Sequence, residues 1–194
     1  AGTVGAEVVP FENNSIEGSN SALARDWNYY LRNIATANRI ICNIDSVPDE
    51  SFLKSEREQW KAEAKIFRAM SMFDMVRSFG SIPIITTEAP DITSNNIEEV
   101  YPLYFPTQGT EEETYQQIEK DLLEAIEYAP ANNTGDKTKF SKSVAHALLT
   151  KVYAEKPIRD YKKVIEYADK VIPEFSLVSD LSDIFGMNAY NTDT

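Results

Sequence analysis

Five stretches of the chain repeat apolar residues every three or four positions, the spacing that gathers them on one face of an α-helix. The first predicts a helix over about Leu23 to Ile44, carried by Leu23, Trp27, Tyr30, Ile34, Ala37, Ile41 and Ile44, with Pro48 as its breaker. The second runs from about Ser51 or Ser55 to Phe79 and has two stripes. One is Ala62, Ile66, Ala69, Phe73, Val76 and Phe79; the other is Trp60, Ala64, Phe67, Ser71 and Met75. Two adjacent apolar faces predict a helix packed on more than one side, with Trp27 and Trp60 in the core. Gly80 follows, where a left-handed C-terminal cap is wanted.

The third helix is expected over about Glu111 to Ala129, with Tyr115, Ile118, Leu122, Ala125 and Ala129 inward. Thr110 and Glu113 make a capping-box pattern at its start. The fourth covers about Ser141 to Glu155, through Val144, Ala145, Leu148, Leu149 and Val152. The fifth covers about Ile158 to Ile172, through Tyr161, Val164, Ile165, Ala168, Val171 and Ile172. Only a few residues separate the last two, so they are expected to be antiparallel neighbours.

The rest reads as loop. Residues 1–21 are rich in Gly, Asn and Ser, and "SIPIITTEAP", interrupted by Pro83, predicts an extended crossing segment. Residues 86–110, with Pro90, Pro102, Pro106 and Gly109, form a long irregular connection, and residues 173–194 are irregular apart from "LSDIF". The fold class is therefore all-α, a tetratricopeptide-like array of helical hairpins with long irregular loops. "YKKVIEYADKVIPE" resembles the second helix of such a repeat, although no strict 34-residue period runs through the chain.

Composition narrows the partners. The 194 residues are 42% hydrophobic, enough for one domain with a real core, and the formal charge of −12 disfavours nucleic acid and anionic membrane surfaces. Cys42 is the single cysteine, so no intrachain disulfide and no cysteine-based zinc site can form. No apolar run is long enough for a transmembrane helix.

No catalytic or cofactor signature stands out. His146, the only histidine, lies in "VAHALL" without spaced partners and reads as a packing residue. There is no His/Glu metal pair, no Gly-x-Ser-x-Gly elbow and no phosphate-cradling glycine loop, so no cofactor and no metal are expected. Seven acids against one lysine over residues 111–127 read as a solvated helix face. Arg68 and Asp74 sit in a mostly apolar helix, and burial of either charge demands a partner, for example an acid on a neighbouring helix for Arg68. Sugar binding needs an aromatic platform flanked by amides and carboxylates. Phe11, Asn13, Asn14 and Asn20 supply that mixture in one loop; Tyr101, Tyr104 and Phe105 form a second cluster.

In order along the chain, these segments resemble the SusD/RagB family of outer-membrane nutrient-binding lipoproteins of Bacteroidetes. "WNYYLRNIATANRIICNID" is similar to the family's first helix, and "EAKIFRAMSMFDMVRSFGSIPII" to its most recognisable motif, here on Glu63, Ala64, Arg68, Ala69, Phe73, Phe79, Gly80 and Pro83. "TYQQIEKDLLEAIEYAP", "KFSKSVAHALLTKVYAEK", "YADKVI" and "DLSDIF" resemble the segments that follow. Pro106-Thr107-Gln108 stands where the family usually carries an arginine. The resemblance implies a single SusD-like α-helical domain over residues 1–194, an internal portion of a longer protein held at the cell surface by a lipid anchor outside this sequence. It also implies non-catalytic capture of nutrient oligosaccharides for delivery to a TonB-dependent outer-membrane barrel, with ligand-contacting loops in the upstream region. The alternative is a helical-repeat adaptor that binds peptides; an α-helical hydrolase has no positive motif.

Overall fold

The computed structural model describes residues 5–132, 136 and 138–180. Seven α-helices occur among them: α1 (Val9–Glu12), α2 (Ser21–Asn43), α3 (Lys54–Phe79), α4 (Ile97–Val100), α5 (Glu111–Tyr128), α6 (Lys142–Ala154) and α7 (Tyr161–Val171). The five long ones match the five periodic stretches. The single turns α1 and α4 lie in segments read as loop, and a 3-10 turn at Tyr101–Tyr104 follows α4 directly.

Each long helix runs antiparallel to the next. Trp27, early in α2, meets Phe79 at the end of α3 edge-on at 5.1 Å, while Asp45, just past α2, pairs with Lys61 near the start of α3. Phe73 meets Tyr115 at 6.1 Å, and one end further on Lys65 pairs with Glu124 at 2.7 Å, which fixes α5 against α3. The Tyr153 hydroxyl of α6 donates to Glu119 of α5, and Lys163 of α7 donates to the same carboxylate at 3.0 Å. These are the helical hairpins that the patterning predicts.

α3 is the central helix. Ala62, Ile66, Ala69, Phe73 and Val76 are buried on one stripe, Ala64, Ser71 and Met75 on the other, and α2, α5 and α6 all pack on it. Full burial of each large apolar side chain here contributes about 1.5–3 kcal/mol. Trp60, expected in the core, is 51% exposed. Phe67 on the same stripe is covered by Phe140 at 6.0 Å, but Trp60 lies about two turns further toward the helix start, beyond that contact. α7 departs similarly. Tyr167 is its buried residue, whereas Tyr161, Ile165 and Ile172 are exposed; among the described elements, α6 is the long helix on which this short one rests. The "LSDIF" segment lies outside the described residues.

The Thr110 cap forms as expected: its hydroxyl accepts from Glu113 N at 3.2 Å and the Glu113 carboxylate accepts from Thr110 N at 2.8 Å. Gly80 closes α3, its N–H reaching Val76 O, but with φ 73° and ψ −130°. The φ is the positive one that favours glycine, while the ψ throws the chain into an extended course instead of the left-handed turn. The strap that follows crosses the helices. Gly109 N donates to Ile82 O at 2.9 Å, and Pro83 and Gln108 form an isolated antiparallel bridge. A side chain on Gly109 would collide with Ile84, 2.5 Å from the position of its Cβ, so glycine permits this close approach.

Candidate functional site

The strap, residues 82–89, is held to the helices by buried polar groups. Arg68 of α3 grips Asp121 of α5 with two bonds, Nε to Oδ2 at 2.7 Å and Nη2 to Oδ1 at 2.6 Å. Its third nitrogen, Nη1, donates to Asn38 Oδ1 at 2.7 Å and to Thr86 O at 3.0 Å. Asn38 of α2 then donates from Nδ2 to Ile85 O at 3.0 Å, and Gln117 Nε2 donates to Asp121 Oδ1 at 3.0 Å. Burial pushes the Asp121 carboxyl up, against the pull of the Arg68 guanidinium. The arrangement fixes two helices and the strap at one point, and it supplies the partner that Arg68 demands, an acid on a neighbouring helix. Asp74 is half-buried and makes no ion pair among the described residues.

A cleft of ≈ 380 Å³ opens beside this strap. One wall is the polar face of α2, with Arg32, Thr36 and Arg39; the floor is Ala35 and Ile85; the far wall is Leu103, Tyr104 and Pro106 from the irregular connection. Thr87, Glu88 and Ala89 also line two neighbouring hollows, of ≈ 420 and ≈ 260 Å³, so the three share one edge of the strap. Glu88 is oriented by Asn43 Nδ2 at 2.7 Å and faces Arg39 at 3.6 Å. Tyr104 is anchored by its hydroxyl, which donates to Pro90 O at 3.0 Å, leaving the ring half exposed. Tyr101 and Phe105 meet at 4.9 Å on the same turn, both exposed. The cleft thus offers an aromatic wall, an apolar floor and guanidinium, carboxylate and hydroxyl groups, the mixture that holds a sugar by stacking and hydrogen bonds.

Of the residues singled out by sequence, Tyr104 lines the cleft, and Tyr101 stands on the same turn. Phe11, Asn13 and Asn14 are exposed around the end of α1, with Asn14 at φ 53°. No hydrogen bond or ring contact joins them to the Tyr101–Tyr104 turn among the described residues. Asn20 is a helix cap: its Oδ1 accepts from Ala22 N at 2.9 Å and its Nδ2 donates to Glu7 O at 2.9 Å. Both ends of that amide take part in the cap. Arg32, Thr36, Arg39 and Glu88 were not singled out. The signal was present in the polar spacing Arg32, Thr36, Arg39 and Asn43 along one face of α2, opposite the apolar stripe.

Comparison with known proteins agrees with this architecture. A SusD-like family model, described as starch-binding associating with outer membrane, matches residues 6–154. SusD-like protein P2 of Formosa agariphila is 27% identical over 181 residues, covering 91% of this chain and 33% of that protein. A laminarin-binding SusD-like protein of solved structure superposes with a TM-score of 0.78 at 25% identity, covering 98% of this chain and 40% of that one. A SusD homolog from Bacteroides thetaiotaomicron superposes at 0.70 with 26% identity, covering 89% of this chain and 34% of that one. The chain spans about a third of the curated relative it matches. Sequence motifs, antiparallel helical array and family match agree, and the chain belongs to the SusD-like family.

Proposed function

We propose that this chain is the helical portion of a cell-surface protein that captures nutrient oligosaccharides without cleaving them. The cleft beside the strap, walled by Tyr104 and extended by Tyr101 and Phe105, is the binding surface. The observation that carries this reading is the pairing of an exposed aromatic turn with a polar face of α2 across one cleft, in a chain of a family described as starch-binding. A pyranose stacks its apolar face on Tyr104 while its hydroxyls bond to Thr36, Arg39 and Glu88. Phe11, Asn13 and Asn14 form a second exposed platform for a longer glycan. The laminarin-binding relative supports a polysaccharide-derived ligand. In this reading the complete protein is lipid-anchored at the outer membrane and passes its cargo to a TonB-dependent barrel.

The test is a glycan-binding screen on the complete protein, followed by prolonged incubation with each ligand found. Saturable binding with no new reducing ends is expected, and an outer-membrane barrel is expected to co-purify from native membranes. Release of reducing ends would overturn the non-catalytic role. Recovery of soluble partners alone, with no glycan bound, would overturn capture in favour of a peptide-binding adaptor.

A further inference from the structure

We infer that the cleft selects negatively charged saccharides, with the Arg32 guanidinium as the group that reads the charge. This rests on the glycan-binding role proposed above and adds the class of glycan.

The chain holds seven arginines, and six have their head groups engaged. Arg25 pairs with Asp26 at 3.1 Å, Arg68 with Asp121, and Arg77 with Glu155 at 3.2 Å. Arg57 donates to the carbonyls of Phe52 and Val47, and Arg159 to that of Ala154. Arg39 faces Glu88. The Arg32 guanidinium alone has no hydrogen bond, ion pair or ring contact among the described residues, and it lines the cleft. A side chain with no task in the fold, placed at the wall of the binding surface, is free for a ligand.

The chemistry of that ligand follows from the head group. A guanidinium is a planar fork of donors, matched to two oxygens of one anion, as in a carboxylate or a sulfate ester. Arg39 stands two turns along the same face, about 10 Å away along the axis. Its ion pair is exposed and, at 3.6 Å, loose, so solvent screens it strongly. Glu88 keeps its bond from Asn43 if Arg39 turns to a ligand. Two guanidinium groups against one carboxylate make the cleft locally cationic in a chain of formal charge −12. Because the whole chain repels anions at a distance, the preference is a contact effect and is isolated by substitution, not by salt.

The experiment is calorimetric titration of the complete protein with three oligosaccharides of equal length: a neutral β-glucan, a uronate and a sulfate ester. One anionic ligand is expected to bind about tenfold more tightly than the neutral one, the gain of one charge-assisted contact. Whichever of the two is favoured identifies carboxylate or sulfate as the source of the charge. Arg32→Gln should collapse the anionic-to-neutral ratio, Arg32→Lys should restore only part of it, and Arg159→Gln, in the turn between α6 and α7, should leave it unchanged. A neutral ligand bound as tightly as both anionic ones would overturn the inference and leave the glycan-binding role standing, as would a ratio that survives Arg32→Gln. Binding of none of the three would overturn both.

Discussion

Arg68 and Arg32 flank the same strap, and they are opposites. Arg68 is buried and makes four hydrogen bonds, two to Asp121, one to Asn38 and one to Thr86 O. Arg32 is exposed in the cleft and its guanidinium makes none among the described residues. The same side chain therefore does two jobs on two neighbouring helices. Where water is excluded, every donor must be matched, because an unmatched buried charge costs several kcal/mol. Where water can serve, a donor can wait for a ligand at little cost. The contrast separates a junction that sets the position of the strap from the wall of a cleft where Arg32 serves no contact of the fold, although the cleft takes Asn38 and Ile85 from the junction side.

Substitutions can break this contrast on either side. The largest effect is expected at Phe73, buried between Tyr115 and its own helix. Phe73→Asp places an unpaired carboxylate in the core, and loss of more than about 4 kcal/mol should remove the cooperative unfolding transition altogether. A folded variant that has lost only ligand binding would show that α3 belongs to the site and not to the core.

The next effect is at Arg68. Arg68→Ala strands Asp121 and should cost about 3–5 kcal/mol in denaturant unfolding. Replacing both partners, Arg68→Met with Asp121→Leu, should recover most of that loss, since the isolated charge is gone. If the double variant is as unstable as the single one, the bonds to Asn38 and Thr86 O carry the stability instead.

A smaller effect should follow pH. Burial holds the His146 imidazole below its ordinary value, with Lys170 and Lys142 acting in the same sense and Glu174 opposing. Its Nδ1 is buried without a hydrogen-bond partner, and the ring lies on Tyr167 at 5.8 Å. The unfolded chain therefore takes up this proton first as pH falls. The imidazole's contribution to stability is complete above the unfolded value of about 6.5 and is lost as pH drops below it. His146→Leu should flatten the fall in stability between pH 7.5 and pH 5.5, and comparison of the two proteins cancels the carboxylates. An unchanged slope would show that the imidazole titrates as it does in water.

Much of the core was legible in the sequence because helical burial is periodic. The five long helices, the Thr110 cap, the two-sided packing of α3 and the demand of Arg68 for an acid all follow from spacing and charge. Trp60 shows the limit: periodicity says which residues share a face, but not where along the helix the neighbour stops. Tyr161, Ile165 and Ile172 of α7 make the same point on a shorter helix. The cleft was half legible. Tyr101 and Tyr104 stood out as aromatics in a proline-rich loop, whereas Arg32 and Arg39 look like ordinary solvated residues until the strap is laid beside them. Asn20, an asparagine in a loop before a helix, suits a sugar and a cap equally well, and its amide oxygen accepts from the Ala22 and Leu23 amides.

Binding at the cleft wall and stability at the junction should be separable properties of the molecule. Tyr104→Ala tests this most directly, with thermal unfolding and calorimetric titration of a bound oligosaccharide measured on the same preparation of the complete protein. The ring is half exposed, so the stability change should stay within about 0.5 kcal/mol while affinity falls about tenfold through loss of stacking. Unchanged affinity would place the ligand elsewhere, and a large loss of stability would make the turn part of the core.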